Sequence, residues 1–283
     1  MKSKKKSIDT VVRNVGILLE REKNNEEQLR LCAQQLDEFF SESAEWSEQI
    51  REISLDINAT PLFNVTLCKL LGKRSEIRSS VNDMLIGDIE EVSDTAKGRI
   101  AYVRNKRNDK MFLEFSKAVS GAKAYYSASF ADACEAVFNN TCEFCILPVY
   151  NGKEGKLYSF YNMLDRYDLK IAHTVTEDEG DSQELVTFAL VGRELITSVH
   201  GYGKCRFEFS LIDENAVVVA RVTAAVGELG GMVTDVGTMP VAYDRPRRKF
   251  YLSADIPKEG IIPLVMYLSM ENMGFEVLGL YEI

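Results

Sequence analysis

A chain of 283 residues has room for two domains, or three small ones, each with its own core. Its 46% hydrophobic and 27% charged residues are those of a folded globular protein, which excludes a disordered or collagen-like chain. The net charge of −9 leaves no basic half to bind nucleic acid, and no apolar run is long enough to span a bilayer.

Met1 to Lys6 has a positive flank, but Ser7-Ile8-Asp9-Thr10 follows in place of the apolar stretch of a signal peptide. The expected location is therefore cytoplasmic. Up to Lys97 the hydrophobic period is helical. Ile8, Val11, Val12, Val15, Leu18 and Leu19 form one stripe, and Trp46, Ile50, Ile53 and Ile57 another. Thr60-Pro61 then gives a cap and a first-turn proline, opening a helix through Leu71, and Ser75 to Val92 continues the pattern. A small helical bundle over 1–97 is predicted, with an apolar face offered to a partner.

From Arg99 the period changes. Strands are predicted at Arg99–Val103, Ala124–Tyr126, Glu143–Val149, Leu169–Val175 and Leu185–Val191, and helices at Met111–Val119, Phe130–Asn139 and Leu157–Leu164. This alternation predicts a largely parallel sheet over 98–195, and the acidic run from Glu177 to Asp181 reads as a solvated loop. Over 204–283 a βαββαβ pattern follows, with Phe207, Phe209 and Leu211 as the buried face of its first strand. That is the split βαβ, ferredoxin-like order. The basic loop around Arg245 to Lys249 reads as a solvated turn.

Two histidines, His173 and His200, are too few for a three-histidine metal site, and no metal or cofactor is expected. The six cysteines include Cys142-Glu143-Phe144-Cys145, whose spacing lacks a second pair and runs into a strand, so buried free thiols are expected.

The end of the chain resembles an ACT domain, the amino-acid-binding module of metabolic enzymes, and in particular that of prephenate dehydratases. The resemblance rests on Asn215-Ala216-Val217, on Val233 through Gly237-Thr238-Met239-Pro240, and on Val277-Leu278-Gly279-Leu280-Tyr281. The middle of the chain is similar to the same family in order and spacing, through Ile100 to Val103, Ala136-Val137, Pro148 to Gly155 and Asn162-Met163-Leu164. The family's Thr-Arg-Phe motif falls on Val186-Thr187-Phe188, its Pro-x-Glu-Asn motif puts Tyr150 at the glutamate and Asn151 at the asparagine, and its glycine loop has become Arg104 to Arg107. The family's second lobe would fall between Val175 and Leu185, where only a short acidic stretch stands.

The resemblance implies three parts: a helical, chorismate-mutase-like region (1–97), a single-lobed periplasmic-binding-protein-like α/β domain (98–195) and a ferredoxin-like ACT domain (204–283), a mixture of α+β and α/β classes. In a mutase frame, Leu18-Leu19-Glu20-Arg21 fits, but the other basic positions fall on Lys4 and Cys32. The dehydratase positions Asn151, Gly155, Thr187 and Phe188 are degenerate, and with one lobe no closed cleft is expected. The expected function is a non-catalytic, homodimeric regulatory protein binding a small amino or aromatic acid near Asn215, Ala216, Val217, Gly237 and Thr238. The alternative is an active chorismate mutase or prephenate dehydratase of phenylalanine biosynthesis.

Overall fold

The chain folds around strands whose two faces are used differently in its two halves. In the computed structural model, residues 27, 31, 61–73, 78–79, 81, 85, 93–153, 155–179, 184–195, 203–214, 216–241, 247–271 and 275–283 are described. The helical stripes before Pro61, the mutase-like segment with Lys4 and Cys32, and Asn215 lie outside them.

Helix α1 (Pro61–Leu71) follows the Thr60-Pro61 signal. The α/β half then begins with β1 (Arg99–Val103), α2 (Lys106–Phe115), β2 (Lys123–Ser127), α3 (Phe130–Phe138) and β3 (Phe144–Asn151). β1 pairs parallel with both β2 and β3, as helical crossovers require. The helix expected over Met111–Val119 begins earlier, at Lys106. Asn105, extended at φ −160°, caps it by accepting the Asn108 N–H at 2.8 Å. The charged residues after Asn105 hid that start from an apolar count, while the cap determines it.

After a short β4 (Gly155–Lys156) come α4 (Tyr158–Tyr167), β5 (Lys170–Glu179) and β6 (Glu184–Gly192). Gly155 has φ +74°, the left-handed region that glycine adopts without strain, which turns the chain back onto β3. The sheet is less parallel than predicted, because β6 pairs antiparallel with both β3 and β5. The link from Glu179 to Glu184 is hairpin-sized, and such a link allows only antiparallel neighbours. Of the acidic run expected as a loop, Glu177 to Glu179 extend β5 instead, while Gly180 and Asp181 lie outside the described residues. Glu177 ion-pairs with Lys110 at 2.6 Å and Arg107 at 3.5 Å.

The second half is β7 (Lys204–Asp213), α5 (Val217–Glu228), β8 (Met232–Pro240), β9 (Arg248–Pro257), α6 (Lys258–Glu271) and β10 (Glu276–Glu282). Its strands run antiparallel in the order β10-β7-β9-β8. Phe207, Phe209 and Leu211 on β7 and Leu252, Ala254 and Ile256 on β9 bury one face beneath α5 and α6. Helix α1 joins this layer through Val65, Leu67, Cys68 and Leu71.

The two halves share one sheet, ordered β2-β1-β3-β6-β5-β10-β7-β9-β8 with β4 beside β3. The seam is the parallel contact of Gly279 on β10 with Ile171 on β5. A Cβ at Gly279 would lie 2.8 Å from the Ile171 Cβ and 2.9 Å from its carbonyl oxygen, so the strands can meet only where a side chain is missing. Charges reinforce the seam. Lys170 bonds Glu276 at 2.8 Å and Asp168 at 2.9 Å, and Lys249 bonds Glu276 at 3.0 Å and Asp165 at 2.7 Å.

Helix α4 completes the junction by lying over the face of β7–β10 that α5 and α6 leave uncovered. Tyr161 packs on Tyr251 with ring centroids 4.3 Å apart, in a core that also includes Leu164, Leu278 and Tyr281.

Candidate functional site

Strand alternation explains the site. Because the odd positions of β7 face α5 and α6, Arg206, Glu208 and Ser210 point to the opposite face. Register aligns Glu208 with Ser253 on β9, and Ser253 with Asp235 on β8, in one cross-strand row. In the next rows Arg206 lies between Asp255 and Tyr281, and Tyr251 between Ser210 and Gly237. This polar floor faces Tyr150, Gly155, Tyr158, Tyr161 and Thr187 of the α/β half across a half-open cavity of about 540 Å³.

A single lobe implies no closed cleft, and the cavity present is half open. The β7–β10 sheet supplies the opposing wall, because β10 inserts beside β5 and brings that sheet under α4.

The polar groups of the floor are largely bound to one another. Arg206 grips Asp255 with two bonds, Nε to Oδ1 at 2.7 Å and Nη2 to Oδ2 at 3.0 Å. That pairing, against the opposing effect of burial, raises the guanidinium pKa further. Glu208, 5% exposed, accepts the Tyr281 hydroxyl at 2.6 Å and the Ser253 hydroxyl at 3.2 Å. The Tyr251 hydroxyl donates to Asp165 at 2.7 Å. Burial raises the pKa of Tyr281, with the charge of Glu208 adding to it, and burial followed by Glu208 and Asp235 raises that of Tyr161. Both phenols stay protonated at neutral pH, and that of Tyr281 acts as a donor.

Of the expected dehydratase positions, Gly155 and Thr187 line this cavity, the latter with its hydroxyl 3.0 Å from that of Thr176. Asn151 instead accepts the Lys153 N–H at 3.1 Å in the turn before β4, and Phe188 is buried on the other face of the sheet with Ile100 and Phe115. Of the expected ligand positions, Gly237 lines the cavity, whereas Ala216 and Val217 are exposed at the start of α5 and Thr238 is exposed on β8. Sequence reasoning missed Arg206, Glu208, Asp235, Tyr161, Tyr251 and Tyr281. For Arg206 and Glu208 the signal was their alternation with Phe207 and Phe209 along β7; the other four carried none.

No charged group other than Arg206, Glu208 and Asp235 lines the cavity among the described residues. His173 lies on a second cavity of about 640 Å³, with its ring edge-on to Phe115 and Tyr281, and burial lowers its pKa. His200 lies outside the described residues. Cys142 and Cys145 are buried free thiols, Cys142 pushed up to about 11 chiefly by burial and Cys145 well above its usual value, so neither is a ready nucleophile. Among the described residues no cluster of His, Cys, Asp and Glu is placed to hold a metal ion, and no helix is long and apolar enough to cross a membrane.

No protein-family model and no curated protein matches the chain. Solved structures do. Prephenate dehydratase from Streptococcus mutans aligns with a TM-score of 0.52 at 14% identity, covering 65% of this chain and 97% of that one. The enzyme from Arthrobacter aurescens in complex with L-Phe aligns at 0.51 and 11% identity, covering 65% and 90%. GqqA, described as a novel type of quorum quenching acylase, aligns at 0.51 and 16% identity, covering 65% and 95%. At these identities the likeness is one of fold, and the fold that this chain shares is that of the prephenate dehydratases.

Proposed function

We propose that this chain is a catalytically degenerate relative of prephenate dehydratase that binds a small amino or aromatic acid in the cavity between its two halves. In this reading β7–β10 with α5 and α6 is an ACT unit, β1–β6 with its helices is a single dehydratase-like lobe, and the β5–β6 hairpin stands where the family's second lobe is inserted. Residues 1–97 are a mutase-like helical region, and the working form is a homodimer linked to aromatic amino-acid metabolism.

The observation that carries the reading is the charge of the cavity. Prephenate is a dicarboxylate, and expelling its carboxylate and hydroxide calls for cations and an acid aimed at the substrate. The one cation lining the cavity among the described residues, Arg206, is bound to Asp255 through two bonds, and Glu208 and Asp235 share its floor. Thr187 stands at the family's arginine position and adds no charge. The L-Phe complex of one structural neighbour supports an amino acid as the kind of ligand to test.

The test is to incubate the full chain with prephenate and follow phenylpyruvate, alongside calorimetry with L-Phe. Saturable heat without turnover is expected. Phenylpyruvate formed at about 1 s⁻¹ or faster, an ordinary enzymatic rate, would overturn the reading.

A further inference from the structure

Glu208 is an unusual residue for the floor of a cavity. The residue is 5% exposed, yet among the described residues no lysine, arginine or histidine forms a salt bridge with it, and Arg206 acts on it only as a nearby charge. Its partners are two neutral hydroxyls, Tyr281 on Oε1 at 2.6 Å and Ser253 on Oε2 at 3.2 Å. Arg206, two residues along the same strand face, is committed to Asp255. A buried carboxylate carries a heavy desolvation cost, which hydroxyl donors offset only in part. Among the described residues Oε2 receives one long bond, and a carboxylate oxygen has room for two.

The surroundings are arranged for positive charge. Asp235 stands in the same cross-strand row, with Ser253 between it and Glu208, two strand spacings or about 9.6 Å from Glu208 at the backbone. Tyr158 and Tyr161 above the row and Tyr251 beside it in the floor line the cavity, and aromatic faces attract cations. The volume of about 540 Å³ suits a ligand with one aromatic ring and a short chain.

We infer that the ligand of this cavity is an organic ammonium ion, an amine with an apolar or aromatic body, whose charged nitrogen docks on Glu208 above Ser253 while its body lies among the tyrosines. The inference rests on the cavity being the ligand site proposed above, and specifies it: the amine is the recognised group, and a carboxylate on the ligand contributes nothing. An ammonium group brings three donors and a cation in direct contact, which Arg206, held by Asp255, does not supply.

Calorimetry on the full chain at neutral pH tests this with phenethylamine, 3-phenylpropionate and L-Phe, which share one body and differ in charged groups. Phenethylamine is expected to bind at least tenfold more tightly than 3-phenylpropionate and no more weakly than L-Phe. Glu208→Gln, which keeps shape and acceptor, should weaken phenethylamine at least tenfold, and Asp235→Asn about threefold, with both variants folded by circular dichroism. Thr187→Trp, which fills the cavity, should abolish binding. If 3-phenylpropionate binds as tightly as the amine and Thr187→Trp removes it, the ammonium assignment fails while the cavity remains the ligand site. If phenethylamine binds equally to the wild type, Glu208→Gln and Thr187→Trp, the inference is overturned. If no probe binds at millimolar concentration, the inference and the ligand-binding proposal both fall.

Discussion

Gly279→Ala places one methyl group at the register point where β10 meets β5. The new Cβ would lie 2.8 Å from the Ile171 Cβ and 2.9 Å from the Ile171 carbonyl oxygen. Ordinary carbon contacts are about 3.5–4.0 Å, so β10 and β5 must part by roughly an ångström. Neither obstacle can swing away, since one is backbone and the other sits on a β-branched residue in the core. Overpacking of this kind costs about 1–3 kcal/mol. For a chain of this size each kcal/mol lowers Tm by about 2–4 °C, so a fall of several degrees is expected. Gly227→Ala is the matched control, on an exposed turn of α5 where a Cβ meets nothing within 4 Å. There alanine should stabilise the protein by about 0.5–1 kcal/mol, through helix propensity. Thermal and urea unfolding of the two variants should therefore move in opposite directions. Equal midpoints for Gly279→Ala and the wild type would refute the close-approach argument.

Two further outcomes follow from the charged and polar groups of the junction. Glu276 is held below the usual carboxylate range, because its bonds and charge contacts with Lys170 and Lys249 outweigh the opposing effect of burial. Its stabilisation is therefore present above the unfolded carboxyl value and lost as pH falls through the lower folded one. Glu276→Gln should cost about 1 kcal/mol at neutral pH, a modest figure because the side chain is 38% exposed. Urea midpoints of variant and wild type should converge as pH drops below about 4, and a gap that persists at low pH would count against the pairing. Tyr281→Phe removes the 2.6 Å donor to buried Glu208 and should cost about 1–3 kcal/mol in urea unfolding, an effect that a solvated hydroxyl would not produce.

The elements were largely legible in the sequence, and their assembly was not. Phe207, Phe209 and Leu211 revealed β7 because one face of an antiparallel strand repeats every second residue. The same alternation made Arg206, Glu208 and Ser210 look solvent-facing, since a sheet with helices on one side usually leaves the other to water. Only the tertiary placement of α4 turns that polar face into a cavity floor. Gly279 could be matched to a family motif, but what it approaches, Ile171, lies far away in sequence on a strand of the other half. Gly155, Thr187 and Gly237 were picked out in two separate groups, and the cavity joins them because the sheet is continuous. Helix α2 was misplaced because its start depends on one asparagine side chain, which a count of apolar residues does not register.

The position of β10 bears on how the polypeptide is made. Lys170 and Glu276, which face each other across the junction, are 106 positions apart. A nascent chain emerging from the ribosome carries β5 with one flank unsatisfied until the final strand arrives to zip beside it. Unshielded flanks of that kind invite association with other chains, and contacts between such distant segments form late.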